Sequence, residues 1–230
     1  MTHQAAPGLF ITATDTGAGK TWSTLGLLSA LRSRGRKAVG MKPVASGSED
    51  TTAGLRNADA LSLQAASAPT MPYEIINPYA FRPPIAPHLA AQDAGVDIDL
   101  ERIVTAYAEL SLSSDIVLVE GVGGWRVPLG GGRFLVDLVR RLNIPVILVV
   151  GLRLGCINHA ALTAAAIAGD EVQLAGWVAN QVDPEYTETG RTIDTLSAII
   201  PAPLLASLPF LPALDADRLA GHFDVALLQR

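Results

Sequence analysis

Short apolar runs rich in β-branched residues recur along the chain: Leu9-Phe10-Ile11, Val39-Gly40-Met41, Ile116-Val117-Leu118-Val119, Val146-Ile147-Leu148-Val149-Val150, and the stretch from Leu174 to Ala179. None of them alternates strictly between apolar and polar positions, so they predict strands buried on both faces. Between them lie longer segments with apolar residues at helical spacing: Trp22 to Ser33, Asn57 to Ala66, Leu100 to Leu110, Ala160 to Ala168 and Thr189 to Ile199. Strand and helix in turn predict an α/β fold, a doubly wound, mostly parallel sheet in three layers. Met71 to Pro87 is crowded with proline and reads as an ordered excursion on one edge. With no repeat and no linker, residues 1–230 are expected to form a single domain.

Between the first strand and the first helix stands Thr14-Asp15-Thr16-Gly17-Ala18-Gly19-Lys20-Thr21. A loop in this place needs small residues so that backbone N–H groups converge on phosphate oxygens, a lysine for the β and γ charges, and a hydroxyl for Mg²⁺. Gly17, Gly19, Lys20 and Thr21 supply all three, although Thr14 stands where the standard pattern has glycine. The strand-loop-helix context makes the fold P-loop NTPase-like.

Ligands of such sheets bind at the carboxyl ends of the strands. Lys42 follows the strand ending at Met41 and leads into Pro43-Val44-Ala45-Ser46-Gly47, which puts a cation and a hydroxyl on the rim of the phosphate loop. The alternative for Lys42 is a lysine that merely ends a strand. Glu120-Gly121-Val122-Gly123-Gly124 closes the strand from Ile116, making Glu120 a candidate Mg²⁺ ligand or water orienter. Asp59 is a second acidic candidate, and from spacing alone it serves equally well as a helix cap. Gly151 to His159 follows a buried strand and opens a helix whose free N–H groups suit an anion. Within it, Cys156 and His159 read as packed helix residues. Asn180, at the end of the last apolar run, offers both a donor and an acceptor to a purine edge.

Composition narrows the partners. Net charge is −5 with no stripe of Lys and Arg, which speaks against nucleic acid. Arg32, Arg34, Arg36 and Lys37 gather at the end of the first helix, where cations suit the dipole. Cys156 is the single cysteine, and no basic region followed by an apolar block opens the chain, so a cytoplasmic protein is expected. The apolar stretch Ile144 to Gly151 falls well short of the roughly 20 residues of a bilayer helix, so no membrane partner is expected.

Six blocks in the same order resemble ATP-dependent dethiobiotin synthetase: Thr14 to Thr21, Lys42 to Gly47, Gly54-Leu55-Arg56-Asn57-Ala58-Asp59-Ala60, Val119 to Trp125, Gly155-Cys156-Ile157-Asn158-His159, and Gly176-Trp177-Val178-Ala179-Asn180. The resemblance runs from about Leu9 to about Phe210. It implies a cyclo-ligase of biotin synthesis that turns 7,8-diaminononanoate, CO₂ and Mg-ATP into dethiobiotin, ADP and phosphate. The amine captures CO₂ as a carbamate, the carbamate takes the γ-phosphoryl group, and the second amine closes a cyclic urea. No protein nucleophile is required, so positioning and charge stabilisation carry the rate.

By the same resemblance, Lys42 and Lys20 are the catalytic residues, flanking carbamate and γ-phosphate. Thr21, Asp59 and Glu120 hold Mg²⁺. The ATP site comprises Gly17, Ala18, Gly19, Lys20, Thr21, Trp22, Asp59 and Glu120, then Gly121, Val122 and Gly123, with Asn180, Gln181, Leu208, Pro209 and Phe210 around the adenine. Thr16 and Ser46 contact the carbamate or diamine. The family's homodimer brings Gly155, Cys156, Ile157 and Asn158 of the partner chain to the substrate carboxylate.

Three positions depart from the family's usual residues: Gly17 for glutamate, Ala13 for glycine, and Gln181 for an acid. Lysine, hydroxyl and metal-ligand positions are all kept, so activity is expected with shifted affinity or nucleotide choice. Lys42→Ala is expected to lose turnover with the fold intact. The competing class is a nucleotide switch of the partitioning-ATPase type, which places a lysine at the start of the loop where this chain has Asp15. Another is an amidoligase or kinase acting on a different substrate, separable by whether ATP turnover responds to the diamine.

Overall fold

In the computed structural model, which describes residues 7–229, the chain runs β1 (Gly8–Ala13), α1 (Lys20–Arg32), β2 (Ala38–Met41), β3 (Val44–Ser46), β4 (Glu49–Thr51), β5 (Gly54–Arg56) and α2 (Ala58–Ala66). It continues through α3 (Tyr73–Ile76), β6 (Tyr79–Phe81), α4 (Pro87–Asp93), α5 (Leu100–Ser113), β7 (Ile116–Glu120), β8 (Pro128–Gly130), β9 (Arg133–Phe134) and α6 (Leu135–Leu142). Last come β10 (Val146–Leu152), α7 (Cys156–Gly169), β11 (Leu174–Gln181), α8 (Thr189–Ile199), β12 (Leu204–Leu208), α9 (Ala216–Ala220) and a 3-10 turn, Val225–Gln229. The expected domain 1–230 and the start of the chain, on which the absence of a leader was read, extend beyond the described residues.

Six strands form one sheet in the order β12-β11-β10-β1-β7-β2, with every neighbouring pair parallel. β1 lies between β7 and β10, so the chain leaves it in one direction for β2 and later returns to its other side. That reversal opens a crevice beyond the carboxyl end of β1. Successive side chains of β1 divide the core. Leu9, Ile11 and Ala13 pack with Leu25 and Leu28 of α1 and Leu219 of α9, while Phe10 packs with Ile103 and Leu110 of α5 and Leu138 of α6. Helices therefore cover both faces, and strands with two buried faces need the continuous apolar runs seen in the sequence.

Every predicted strand and helix is present, most of them longer than the apolar run that marks them. Three extensions affect the site: α1 begins at Lys20 rather than Trp22, α7 at Cys156 rather than Ala160, and β11 continues to Gln181. Several elements fall outside the predicted set. α6 buries Leu135, Val136, Leu138, Val139 and Leu142, a helical spacing visible in the sequence, and its first turn is tied by Phe134 N–H donating to Asp137 at 2.7 Å. β12 is a five-residue edge strand closely preceded by prolines. The proline-crowded segment holds α3, β6 and the start of α4, with β6 pairing in parallel with β3.

Candidate active site

The phosphate loop turns through Gly17 at φ 83 and Gly19 at φ 84, a left-handed backbone that glycine adopts without strain. Gly19 is required for a second reason. A Cβ there would fall 1.9 Å from Nδ2 of Asn180, whose amide donates to the Ala18 carbonyl at 2.9 Å and so ties β11 to the loop. Gly19 also stands at the N-cap of α1 with no side-chain cap, so the first-turn N–H groups face the crevice as anion donors.

Strand ends bring the charged groups to this loop. Glu120 is the last residue of β7, fully buried, and Lys42 follows β2, its neighbour. The Lys42 ammonium lies 2.5 Å from Glu120 Oε1 and 3.1 Å from Asp59 Oδ2. Thr21 Oγ1 donates to the same Glu120 Oε1 at 2.9 Å, while Glu120 Oε2 is buried without a partner. Lys20 donates to the backbone carbonyls of Gly123 at 2.6 Å and Asp15 at 3.2 Å. The open alternative for Asp59 is resolved by its neighbour: Asn57 is the cap of α2, accepting from Ala60 N–H at 3.2 Å, and Asp59 pairs with Lys42 instead. Lys42 is thus more than a strand terminus.

Burial and then the nearby Lys42 cation bring the Lys20 pKa down to about 8. Burial works against the Lys42 charge too, but Glu120 and Asp59 outweigh it and raise its pKa. For Asp59, burial favours the neutral acid, and the Lys42 cation reverses this to hold the carboxyl below its usual range.

These groups line a cleft of about 1020 Å³. Thr16 and Ser46 line it as well, and Ser46 Oγ is buried with no partner. Pro84, Ile85, Ala86 and Pro87 form part of its wall, and the sequence reading did not assign them to the site. Their signal was the proline crowding itself, which fixes backbone without naming a role. A second hollow of about 340 Å³ is lined by Gly17, Gly19, Trp22, Asn180, Gln181 and Phe210, with Val182, Leu211 and Pro212 added. Gly17, Gly19 and Trp22 border both spaces.

Other predicted positions lie differently. Leu208 is a core residue beneath α1, and Pro209 lines neither hollow. Gly121 serves packing, since a Cβ there would meet the Phe10 ring at 3.0 Å. Val122 and Gly123 do line the cleft, whereas Ala18 is buried and offers backbone alone. Gly155, Cys156, Ile157 and Asn158 do not reach the cleft of their own chain. Gly155 caps α7 at φ 94 and Cys156 is buried against β10 and β11. The segment touches the phosphate loop through Arg153, which pairs with Asp15, a contact with no sequence signal across so long a separation.

Among the described residues no three His, Cys, Asp or Glu side chains gather around a metal position. Two carboxylates and the Thr21 hydroxyl are a sparse, all-oxygen donor set with one carboxylate oxygen unpartnered, and that suits Mg²⁺, which keeps waters and takes only one or two carboxylates beside phosphate.

A family model described as an AAA domain matches residues 7–218. The ATP-dependent dethiobiotin synthetase BioD of Xanthomonas euvesicatoria pv. vesicatoria is 53% identical over 210 residues, 91% of this chain and 94% of that protein. The chain belongs to the dethiobiotin synthetase family. A second ATP-dependent dethiobiotin synthetase, from Pseudomonas paraeruginosa, is 51% identical over 220 residues, covering 95% of this chain and 96% of its own. The present synthetase is therefore an enzyme of an ATP-using ligase family. Its fold is also that of the MinC:MinD cell division protein complex of Aquifex aeolicus, at a TM-score of 0.59 and 19% identity, covering 93% of this chain and 86% of that one. That likeness concerns architecture alone. Among the described residues no helix is long and apolar enough to cross a membrane.

Proposed function

We propose that this synthetase carboxylates 7,8-diaminononanoate with CO₂ and closes the ring at the expense of ATP, giving dethiobiotin, ADP and phosphate by way of a carbamate and a carbamoyl phosphate. The observation that carries the reading is the convergence of Lys20, Lys42, Thr21, Asp59 and Glu120 in one cleft of a chain that belongs to the family. Loop N–H groups and Lys20 hold the phosphates. Lys42 stands where negative charge develops as the γ-phosphoryl group passes to the carbamate, and it contributes to the rate by electrostatic stabilisation. Thr16 and Ser46 orient the carbamate and the amine. The smaller hollow takes the adenine, where Asn180 presents Oδ1 as acceptor and one remaining amide hydrogen, the other serving the Ala18 carbonyl. Thr21, Asp59 and Glu120 would hold Mg²⁺, which when bound neutralises phosphate charge. The working unit proposed is a single domain over residues 1–230, cytoplasmic, paired as a homodimer in which Gly155 to Asn158 of one chain serve the substrate carboxylate of the other, with neither nucleic acid nor membrane as partner.

The test is ADP release with Mg-ATP and bicarbonate, with and without the diamine, and mass detection of the product. Diamine-dependent ADP with a cyclic urea is expected. ADP release that ignores the diamine would return the chain to the nucleotide-switch class.

A pH dependence follows from Lys20. Phosphate binds the ammonium form, and with a free pKa of about 8 that form is lost as pH rises. Nucleotide affinity is expected to weaken as pH rises through about 8, with proton uptake on binding above it. Calorimetric titration in buffers of different ionisation enthalpy checks both. A flat profile would place the controlling cation elsewhere.

A further inference from the structure

A buried polar chain runs behind the lysine and carboxylate cluster without lining the cleft. Asn77 Nδ2 donates to the Lys42 carbonyl at 2.6 Å and to the Tyr79 carbonyl at 3.1 Å. Tyr73 donates its hydroxyl hydrogen to Asn77 Oδ1 at 2.8 Å and accepts from Asn57 N–H at 2.8 Å. Asn57 is the cap of α2, two residues before Asp59. All three side chains are at most 6% exposed. The Lys42 N–H completes the clamp by donating to the Ile76 carbonyl at 2.8 Å.

The backbone that carries Lys42 and the helix start that carries Asp59 are thus joined through one phenol and one amide. We propose that Tyr73 and Asn77 are positioning residues that set the separation of Lys42 from Asp59, and with it the placement of the Lys42 ammonium on the reacting phosphoryl group. A fully satisfied buried network has a single geometry, and losing one member leaves a buried N–H or amide unpaired so that its neighbours shift. The proline-crowded segment then has a reason to be ordered, since α3 opens with Tyr73 and Asn77 caps its C-terminal end. The catalytic consequence rests on the function proposed above.

The test uses the full chain with Tyr73→Phe and Asn77→Ala, and Ser67→Ala as comparison. Ser67 caps the end of α2 away from Asp59 and ties it to β2, accepting from Gly40 N–H at 2.9 Å and donating to the Leu63 carbonyl at 2.7 Å. Tyr73→Phe is expected to lower kcat about tenfold with KM for ATP and diamine changed less than about threefold. The double variant should be no slower than Asn77→Ala alone, because the two act as one chain. Ser67→Ala should lose thermal stability and keep kcat. Equal kcat in wild type and Tyr73→Phe, or a loss confined to KM, would overturn the assignment. Mn²⁺ binding to the free protein gives a reading independent of turnover. It should weaken in Tyr73→Phe and Asn77→Ala but not in Ser67→Ala, and unchanged binding in all three would overturn the positioning role even if the wild type proved to have no diamine-dependent activity.

Discussion

Lys42→Ala is expected to lower kcat by about a hundredfold or more, because the cation is needed most as charge moves onto the transferring phosphoryl group. The structure adds a second effect that spacing did not foresee. Lys42 neutralises a carboxylate with no solvent exposure, and without it Glu120 keeps only the Thr21 hydroxyl as partner. Removing one member of a buried ion pair costs about 3 kcal/mol or more. For a chain of this size that is a Tm lower by roughly 6–12 °C. The expectation that the fold would be untouched is therefore revised: the variant should fold but melt earlier, and Mg²⁺ should restore part of the loss by pairing the freed carboxylates. Single-turnover ADP formation together with melting curves with and without Mg²⁺ separates the two effects. Turnover near that of the wild type would remove Lys42 from the chemistry.

Glu120→Gln is expected to raise the Mg²⁺ concentration needed for half-maximal ADP release at least tenfold, by analogy with the roughly 10–100-fold cost of disturbing the surroundings of a metal ligand. The amide keeps an acceptor for Lys42 and Thr21, so the local contacts at Oε1 survive. Its new N–H₂ stands where Glu120 Oε2 has no partner, which costs about 1–3 kcal/mol. A Mg²⁺ titration at saturating ATP is the direct check. An unshifted titration would leave Glu120 as the counter-ion of Lys42 alone.

The sequence made some parts of the site legible and hid others for identifiable reasons. Loop chemistry is local, so Gly17, Gly19, Lys20 and Thr21 could be read from one octapeptide. Lys42 and Glu120 could be placed because each directly follows or ends an apolar run, and in parallel sheets those ends share one rim. Asp59 stayed ambiguous until Asn57 was seen to cap the helix. The bracing of Lys42 and Asn57 by Asn77 and Tyr73 and the Arg153–Asp15 pair had no sequence signal, since each depends on separate segments of the chain meeting at side-chain range, and the proline crowding that marks Pro84–Pro87 did not say that they wall the cleft. Leu208 shows the converse: a position in a plausible ligand segment turned inward, because alternate residues of an edge strand face opposite sides.

By itself the sequence determined the alternation of strands and helices, the phosphate loop and the charge types available to it, because backbone periodicity and short-range spacing are properties of neighbouring residues. Tertiary structure alone decided which carboxylate pairs with Lys42, that Glu120 is wholly buried, that Lys20 titrates near 8, and which buried amides brace the cluster. Those properties depend on distance and dielectric, and both are set only when β1, β2, β7 and α2 are brought together.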